Sequence, residues 1–519
     1  MGATEKPRFF STFIFPFKYN KQSSKGDPNP KDLADHMKQH GWKPKPFVLN
    51  DPLHYNEWHY FHPFVREMVF YTDSNSSKMQ YLTRSDCTQI DVTYSLKDKD
   101  PDPGKTIRMD IKSVDLHLFE NQVGLLSFTA AMPADVNYIE DELLIFNNVT
   151  RRVYPPFLGK EMNSNLTKAK RMLPKSVSLR VTDRPTPIIE EYDKINPEVE
   201  NLSEIIKFLL EGMTFRETQK KQGQWLYESF TDDRMFVISY MISSALAQQV
   251  SKSTCGRYAY ESDDFWYRYV FMDGDFKTIQ NEEMQAQFVR DHTYARWANY
   301  GTLFGMSRYN IAVLCGIDNE GKFHETLYDQ MTSMYYQLAL IILFQRSMLL
   351  KYSHDVRKLN LGKSDKVYIK EAQKLHGDFI KFTNAYLFSE ITPQQQGIEL
   401  YDQWYKIQDL DKLFSDVKQE IDDVASYVRN EISHKTDDSV RNLTLIMFVL
   451  TTWLVLFGDF LFDGKLFRWW KEDHWEWHQY MLFLAGTAIG ILILMIIPLL
   501  PRIYDSIKSA YKKIWSIFK

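Results

Sequence analysis

The segment DHTYARWANYGTLFGMSRYNIAVL, Asp291–Leu314, gathers Arg296, Trp297, Asn299 and Arg308 around Gly301 and Gly305. Guanidinium forks pair with phosphate oxygens at two points and indole faces stack on planar bases. These residue types in one short stretch therefore suit an anionic, aromatic ligand such as a nucleotide. The preceding GRYAYESDDFWYRYVF, Gly256–Phe271, adds Arg257 and Arg268 among further rings. A buried hairpin with surface arginines would have the same composition, so both readings stand at this point.

Other chemistry has weaker support. HYNEWHYFHPF, His54–Phe64, carries three histidines, but no cysteine or paired acid accompanies them and the spacing fits no standard zinc site, so they read as aromatic packing. No Gly-x-Ser-x-Gly, P-loop or dinucleotide fingerprint occurs, and nothing in the sequence points to an enzyme. Lys plus Arg number 63 against 67 Asp plus Glu, a net charge of −4, so no overall basic field points to DNA or RNA. Cys87, Cys255 and Cys315 are too widely spread for a disulfide framework, which implies a reducing setting for most of the chain.

A second set of candidate groups lies near the C-terminus. Asp459 and Asp463 close the apolar run that begins at Leu443. Carboxylates there would concentrate cations and could hold them through water; metal ligands proper are not identified.

Stepping from groups to elements, Arg8–Asn20 and Val114–Phe128 read as strands, the latter a hairpin turning near Asn121. Helical patterns cover Glu204–Lys220, Arg234–Ala247, Glu325–Tyr352 and Lys370–Phe388. Met331–Gln345 is uncharged but short, and is expected to be a buried helix. From Leu400, apolar residues follow at steps of three and four through Trp404, Ile407, Leu410, Phe414, Val417, Ile421, Val424, Val428 and Ile432, a coiled-coil seam. No Gly or Pro falls between Gly397 and Gly458, so one unbroken rod of roughly 90 Å is expected.

Leu443–Phe462 and Met481–Leu500 have the length and polarity of two membrane spans, joined by a loop rich in tryptophan. Basic residues of the tail, Arg502, Lys508, Lys512, Lys513 and Lys519, put both termini on the cytoplasmic side of an inner membrane, in contact with its lipid. The expected organisation is a sensor domain over 1–323, a helical stalk over 324–441, two transmembrane helices over 442–501 with a loop over 463–480, and a basic tail over 502–519.

This order, with the junction HKTDDSVRNLTLI, His434–Ile446, resembles the CorA family of divalent-cation channels. The resemblance implies an α/β cytosolic domain, stalk helices and a C-terminal two-helix transmembrane hairpin, assembled as a homo-oligomer, usually a pentamer. It implies a pore lined by the first span; on one face of such a helix Asp437 falls at the inner entrance, Val440, Phe448 and Thr451 in the narrow part, Thr444 along the pore, and Asp459 or Asp463 at the outer mouth. The family's Gly-Met-Asn filter is missing; Gly458-Asp459-Phe460 or Leu461-Phe462-Asp463 stands in its place. Two functions follow as expectations. The first is a homo-oligomeric channel gated by a ligand on the cytosolic domain, similar to the CorA-like effectors of type III CRISPR antiviral defence, which respond to a nucleotide messenger built from S-adenosylmethionine and ATP. The alternative is a constitutive magnesium transporter.

Overall fold

Phe9, Phe10, Phe13, Phe15 and Phe17 are all buried within the strand β1 (Phe9–Lys21), whose apolar residues do not alternate with polar ones. A strand of that composition must be covered on both faces, and β1 lies inside a fourteen-stranded mixed sheet. The structure is a computed structural model that describes residues 6–22, 28–72, 78–96, 103–153, 173–192, 202–215, 223–230, 234–254, 256–274, 277–317, 323–359 and 365–462.

The first half of the sheet comprises β2 (Lys43–Pro44), β3 (Met79–Arg84), β4 (Cys87–Tyr94), β5 (Lys105–Phe119), β6 (Val123–Ala131), β7 (Pro174–Val181) and β8 (Ile188–Glu191). The second comprises β9 (Thr214–Phe215), β10 (Trp225–Ser229), β11 (Phe236–Ile242), β14 (Thr293–Tyr294), β15 (Leu303–Met306) and β16 (Asn310–Cys315). A separate ribbon pairs β12 (Ser253–Thr254) with β13 (Arg257–Tyr258). Along the main path the order is β14-β15-β16-β11-β1-β6-β5-β4-β7-β8. β1 runs antiparallel to β6 and β11, while β11 and β16 are parallel.

Pro16 would cost an inner strand one ladder bond, because it lacks an N–H. β1 takes it at a change of partner: β11 pairs as far as Ile14, and β10 takes over from Phe17. The β5–β6 hairpin turns at Glu120–Gln122, with Gln122 left-handed at φ 65°, in agreement with the sequence.

Two helical expectations fail. Arg234–Ala247 contains β11, FVISYMI, in which every residue is buried; its β-branched and aromatic residues fill a central strand between β1 and β16. The helix begins only at α6 (Ser244–Val250), where Ser243 accepts from the Leu246 N–H. Of the described part of Glu204–Lys220, only α5 (Glu204–Leu209) is helical, because Gly212 turns at φ 100° and the chain enters β9.

The remaining helices are α1 (Pro30–Lys38), α2 (Pro52–Tyr60), α3 (Pro63–Val69), α4 (Glu140–Thr150), α7 (Asp264–Phe271), α8 (Glu282–Asp291), α9 (Phe323–Thr332), α10 (Met334–Lys358), α11 (Asp365–Tyr386), α12 (Gln395–Ile407) and α13 (Leu410–Phe462). α10 carries the uncharged run ending at Gln345 as a core helix, with Leu338, Ala339, Ile341, Ile342 and Phe344 buried. The expected single rod is two helices. Gln408 and Asp409 separate α12 from α13, and Asp409 is left-handed at φ 53°. Tertiary contacts stop the helix where no Gly or Pro does: Gln408 Nε2 donates to the Ser307 carbonyl at 3.1 Å, and Arg308 pairs with Asp409.

By internal packing the chain forms two units, Met1–Gly362 with Lys374–Glu420, and Lys363–Gln373 with Ile421–Lys519. The first holds the sheet and its covering helices. In the second, Tyr368, Ala372, Ile421 and Val428 are buried, and the Tyr368 and Tyr427 rings meet edge to face at 6.0 Å.

The transmembrane hairpin is overturned, and with it the CorA-like membrane architecture and the inner-membrane location. Among the described residues no helix is long and apolar enough to cross a membrane. The physical reason lies in α13, where the uncharged stretch opens at Leu443, after Lys435, Asp437, Asp438 and Arg441, and is cut at Asp459. It is shorter than the ~20 residues a span needs. Met481–Leu500, the loop over 463–480 and the tail lie outside the described residues.

Candidate functional site

A cleft of about 1100 Å³ opens in the first unit between α7, α8, the β15–β16 turn and α12. Each wall has a local cause. Asp263 Oδ1 accepts from the Trp266 N–H at 2.8 Å to start α7, and Asn281 Oδ1 accepts from the Met284 N–H at 2.8 Å to start α8. The β15–β16 turn is tied to α7 by buried Asn310, whose Nδ2 donates to the Tyr269 carbonyl at 2.7 Å. Gly305 lets β15 lie close against α7, since a Cβ there would sit 2.2 Å from Val270 Cγ2.

The lining combines rings with charges. Phe271 stacks on Phe288 at 4.7 Å, and His292 packs against both. Tyr267 and Tyr309 add two phenol rings. Arg290, Arg308 and Lys406 supply positive charge, and Asp273, Asp291, Asp402 and Asp409 negative charge. His292 Nδ1 lies 2.8 Å from the Phe288 carbonyl, so it carries the proton and leaves Nε2 as an acceptor. Burial pushes the His292 pKa down, which favours this neutral form. Burial, with Glu390 nearby, pushes Asp402 up. The cleft therefore offers stacking faces and groups of both signs.

Of the six residues singled out for ligand binding, Arg308 lines this cleft, where it pairs with Asp409. The others serve elsewhere. Arg296 Nη1 reaches both oxygens of Glu399 at 2.7 Å. Hydrogen bonds from Tyr294, then Arg296 and Gln395, hold Glu399 down to about 2. Trp297 Nε1 donates to Gln396 Oε1 at 3.2 Å, so Arg296 and Trp297 together fasten α12 to the sheet edge. Arg268 is spread over Asp141 at 2.7 Å, Asp264 at 2.8 Å and the Gly274 carbonyl at 3.2 Å. Asn299 Oδ1 accepts from the Tyr258 hydroxyl at 3.1 Å, and Arg257 is exposed on β13.

Sequence reasoning missed Arg290, His292 and Lys406. Arg290 and His292 flank Asp291, where the quoted segment begins, and the signal available was the run FVRDH at the end of α8. Lys406 had no local signal, because it reads as the solvated side of a seam helix.

The expected pore positions Asp437, Val440, Thr444, Phe448 and Thr451 are exposed on α13. Thr444 and Thr451 donate their hydroxyls back to the Val440 and Met447 carbonyls at 2.8 and 2.7 Å, satisfying them within the helix. Asp459 lies on the same helix, and Asp463 falls outside the described residues. The three histidines go to separate partners: His54 to Asp51, His59 to the Tyr55 ring and His62 to Glu390. Among the described residues no group of three or more His, Cys, Asp or Glu is placed to hold a metal ion.

Compared with known proteins, the chain matches no family model, and no curated protein and no solved structure is significantly similar to it.

Proposed function

We propose that the protein is a ligand-responsive effector whose cleft between α7, α8 and α12 binds a nucleotide-class messenger. The observation that carries this reading is Arg308. It lines a ring-walled cleft beside Arg290 and Lys406, and it is held by Asp409, the residue immediately before α13. A phosphate that binds Arg308 competes with Asp409 and frees the start of α13, which couples binding to the long helix. The mixed lining favours a ligand with both anionic and cationic groups, as in a conjugate of S-adenosylmethionine with AMP. Phosphate would meet the guanidinium groups, an ammonium or sulfonium would meet Asp291 or Asp402, and the bases would stack on Phe288 and Tyr309. A homo-oligomer formed through the exposed apolar residues of α13, among them Leu443, Met447 and Phe448, belongs to this reading.

Calorimetry on the full chain tests it, with S-adenosylmethionine–AMP, ATP and S-adenosylmethionine as ligands. The conjugate is expected to bind most tightly. Arg308→Ala is expected to weaken it by about 1.5–3 kcal/mol, and Arg257→Ala to leave it unchanged. Absence of binding by all three ligands, or equal affinity in wild type and Arg308→Ala, would overturn the reading.

A further inference from the structure

A second, more enclosed cavity of about 300 Å³ lies in the first unit, away from the cleft and sharing no residue with it. Its floor is the sheet, with Thr12 of β1, Ser113 and Asp115 of β5, and Thr129 of β6. α2 contributes Glu57, α9 and α10 contribute Tyr328, Tyr336 and Gln337, and the rings of Phe47, Phe70 and Tyr71 complete the wall.

The polar groups of this cavity pair off in a way that leaves one carboxylate over. Lys45 Nζ donates to Asp115 Oδ1 at 3.2 Å and to the Tyr81 hydroxyl at 2.8 Å. Lys112 reaches Asp110 at 3.2 Å, and His54 bonds Asp51 at 2.7 Å. The Thr12 and Thr129 hydroxyls bond each other at 2.8 Å, and Tyr336 bonds Ser127 at 2.8 Å. Glu57 is 6% exposed, and among the described residues its one hydrogen-bond partner is the neutral Gln337 Nε2, at 3.1 Å. Gln337 is 7% exposed, and its side-chain carbonyl has no partner among the described residues. Two acceptors on adjoining elements thus meet one cavity, one of them a buried carboxylate that no cation bonds among the described residues, the cavity's Lys45 being held by Asp115 and Tyr81. Such a group costs several kcal/mol unless a donor reaches it. Burial pushes the Glu57 carboxyl above its usual range, and the hydrogen bond from Gln337 with the nearby His54 and Lys45 offsets only part of that push.

We propose that this cavity is a binding site for a small organic ammonium ion, held by the Glu57 carboxylate and the Gln337 carbonyl. An –NH₃⁺ group has three donors and no acceptor, which matches two open acceptors. The faces of Phe47, Phe70 and Tyr71 favour a cation or the methylene groups attached to it. At about 30 Å³ per water-sized group, the space accommodates roughly ten non-hydrogen atoms, the size of a short alkylamine or diamine. A quaternary ammonium is disfavoured, since it cannot donate to either acceptor.

The experiment uses the full chain and four probes: putrescine, methylammonium, tetramethylammonium, and 1,4-butanediol as the uncharged counterpart of putrescine. Putrescine or methylammonium is expected to raise the melting temperature in a saturable way and to give a calorimetric isotherm, while butanediol gives neither. Glu57→Gln, which keeps the shape and removes the charge, is expected to lower affinity for the amine at least tenfold, while Arg308→Ala leaves it unchanged. An equal response to putrescine and butanediol, or unchanged amine affinity in Glu57→Gln, overturns the proposal. Should that variant fail to fold, the comparison of charged and uncharged probes on the wild type still decides. Because Arg308 lines the cleft and not this cavity, loss of the amine site and loss of the nucleotide reading are separately visible.

Discussion

Arg296 and Arg308 belong to the same segment and both meet a carboxylate, but their surroundings assign them different work. Arg296 is exposed and its pair with Glu399 lies outside the cleft lining, so the two form a solvent-screened surface clamp. Arg296→Ala should leave the urea midpoint nearly unchanged and ligand affinity alone. The types and spacing in the segment were visible in the sequence; which guanidinium would find a protein carboxylate already bound to α12, and which would line a cavity, depended on residues a hundred positions away. At another residue, His117 is 1% exposed, stacks on Tyr81 at 4.1 Å and, among the described residues, has no partner for either ring nitrogen. Burial pushes its pKa from 6.5 down to about 4, so the folded state keeps it neutral while the unfolded state takes up a proton. Its contribution is level above pH 6.5, and stability is lost as pH falls from 6.5 towards 4. The phenyl ring of His117→Phe neither titrates nor forfeits a hydrogen bond. That variant should flatten the acid side of the stability profile and be about 1–2 kcal/mol more stable than wild type at pH 5, measured by denaturant unfolding. A parallel acid-side decline in both proteins would count against this assignment.

At the scale of elements, β1 and the β5–β6 hairpin were legible because a run of phenylalanines and a turn between two apolar stretches leave few alternatives. β11 was not, since a fully buried strand shows no alternation and FVISYMI is as apolar as a core helix. The interruption at Asp409 was hidden for a different reason. A non-glycine residue at φ 53° is set by what surrounds it, here the Arg308 pair and the Gln408 bond to Ser307. Asp409→Asn keeps a residue that tolerates the left-handed region while removing the charge that competes with a ligand phosphate. That variant should lose no more than about 1 kcal/mol of stability and bind the nucleotide ligand more tightly than wild type by calorimetry. Weaker binding would instead make Asp409 part of the ligand site. The seam also reads differently once folded: Trp404, Leu410, Val417, Ile421 and Val428 are buried within the single chain, whereas Ile432 is exposed. Val417→Asp should therefore cost about 3–5 kcal/mol of folding stability, seen by denaturant unfolding at any protein concentration.

For the whole molecule, the strands that flank β1 come from distant parts of the chain. Phe10 pairs with Ala131 on one side and with Tyr240 on the other, and the sheet cannot close until both partners exist. During synthesis at about 5–20 residues per second, β1 has to wait roughly ten seconds or more for β11. β6 reaches one edge of β1 part-way through that interval, and until β11 arrives the other edge and the five phenylalanines lack their full native cover. Vectorial production thus makes β1 the segment that a holding chaperone would protect until the second half of the sheet arrives.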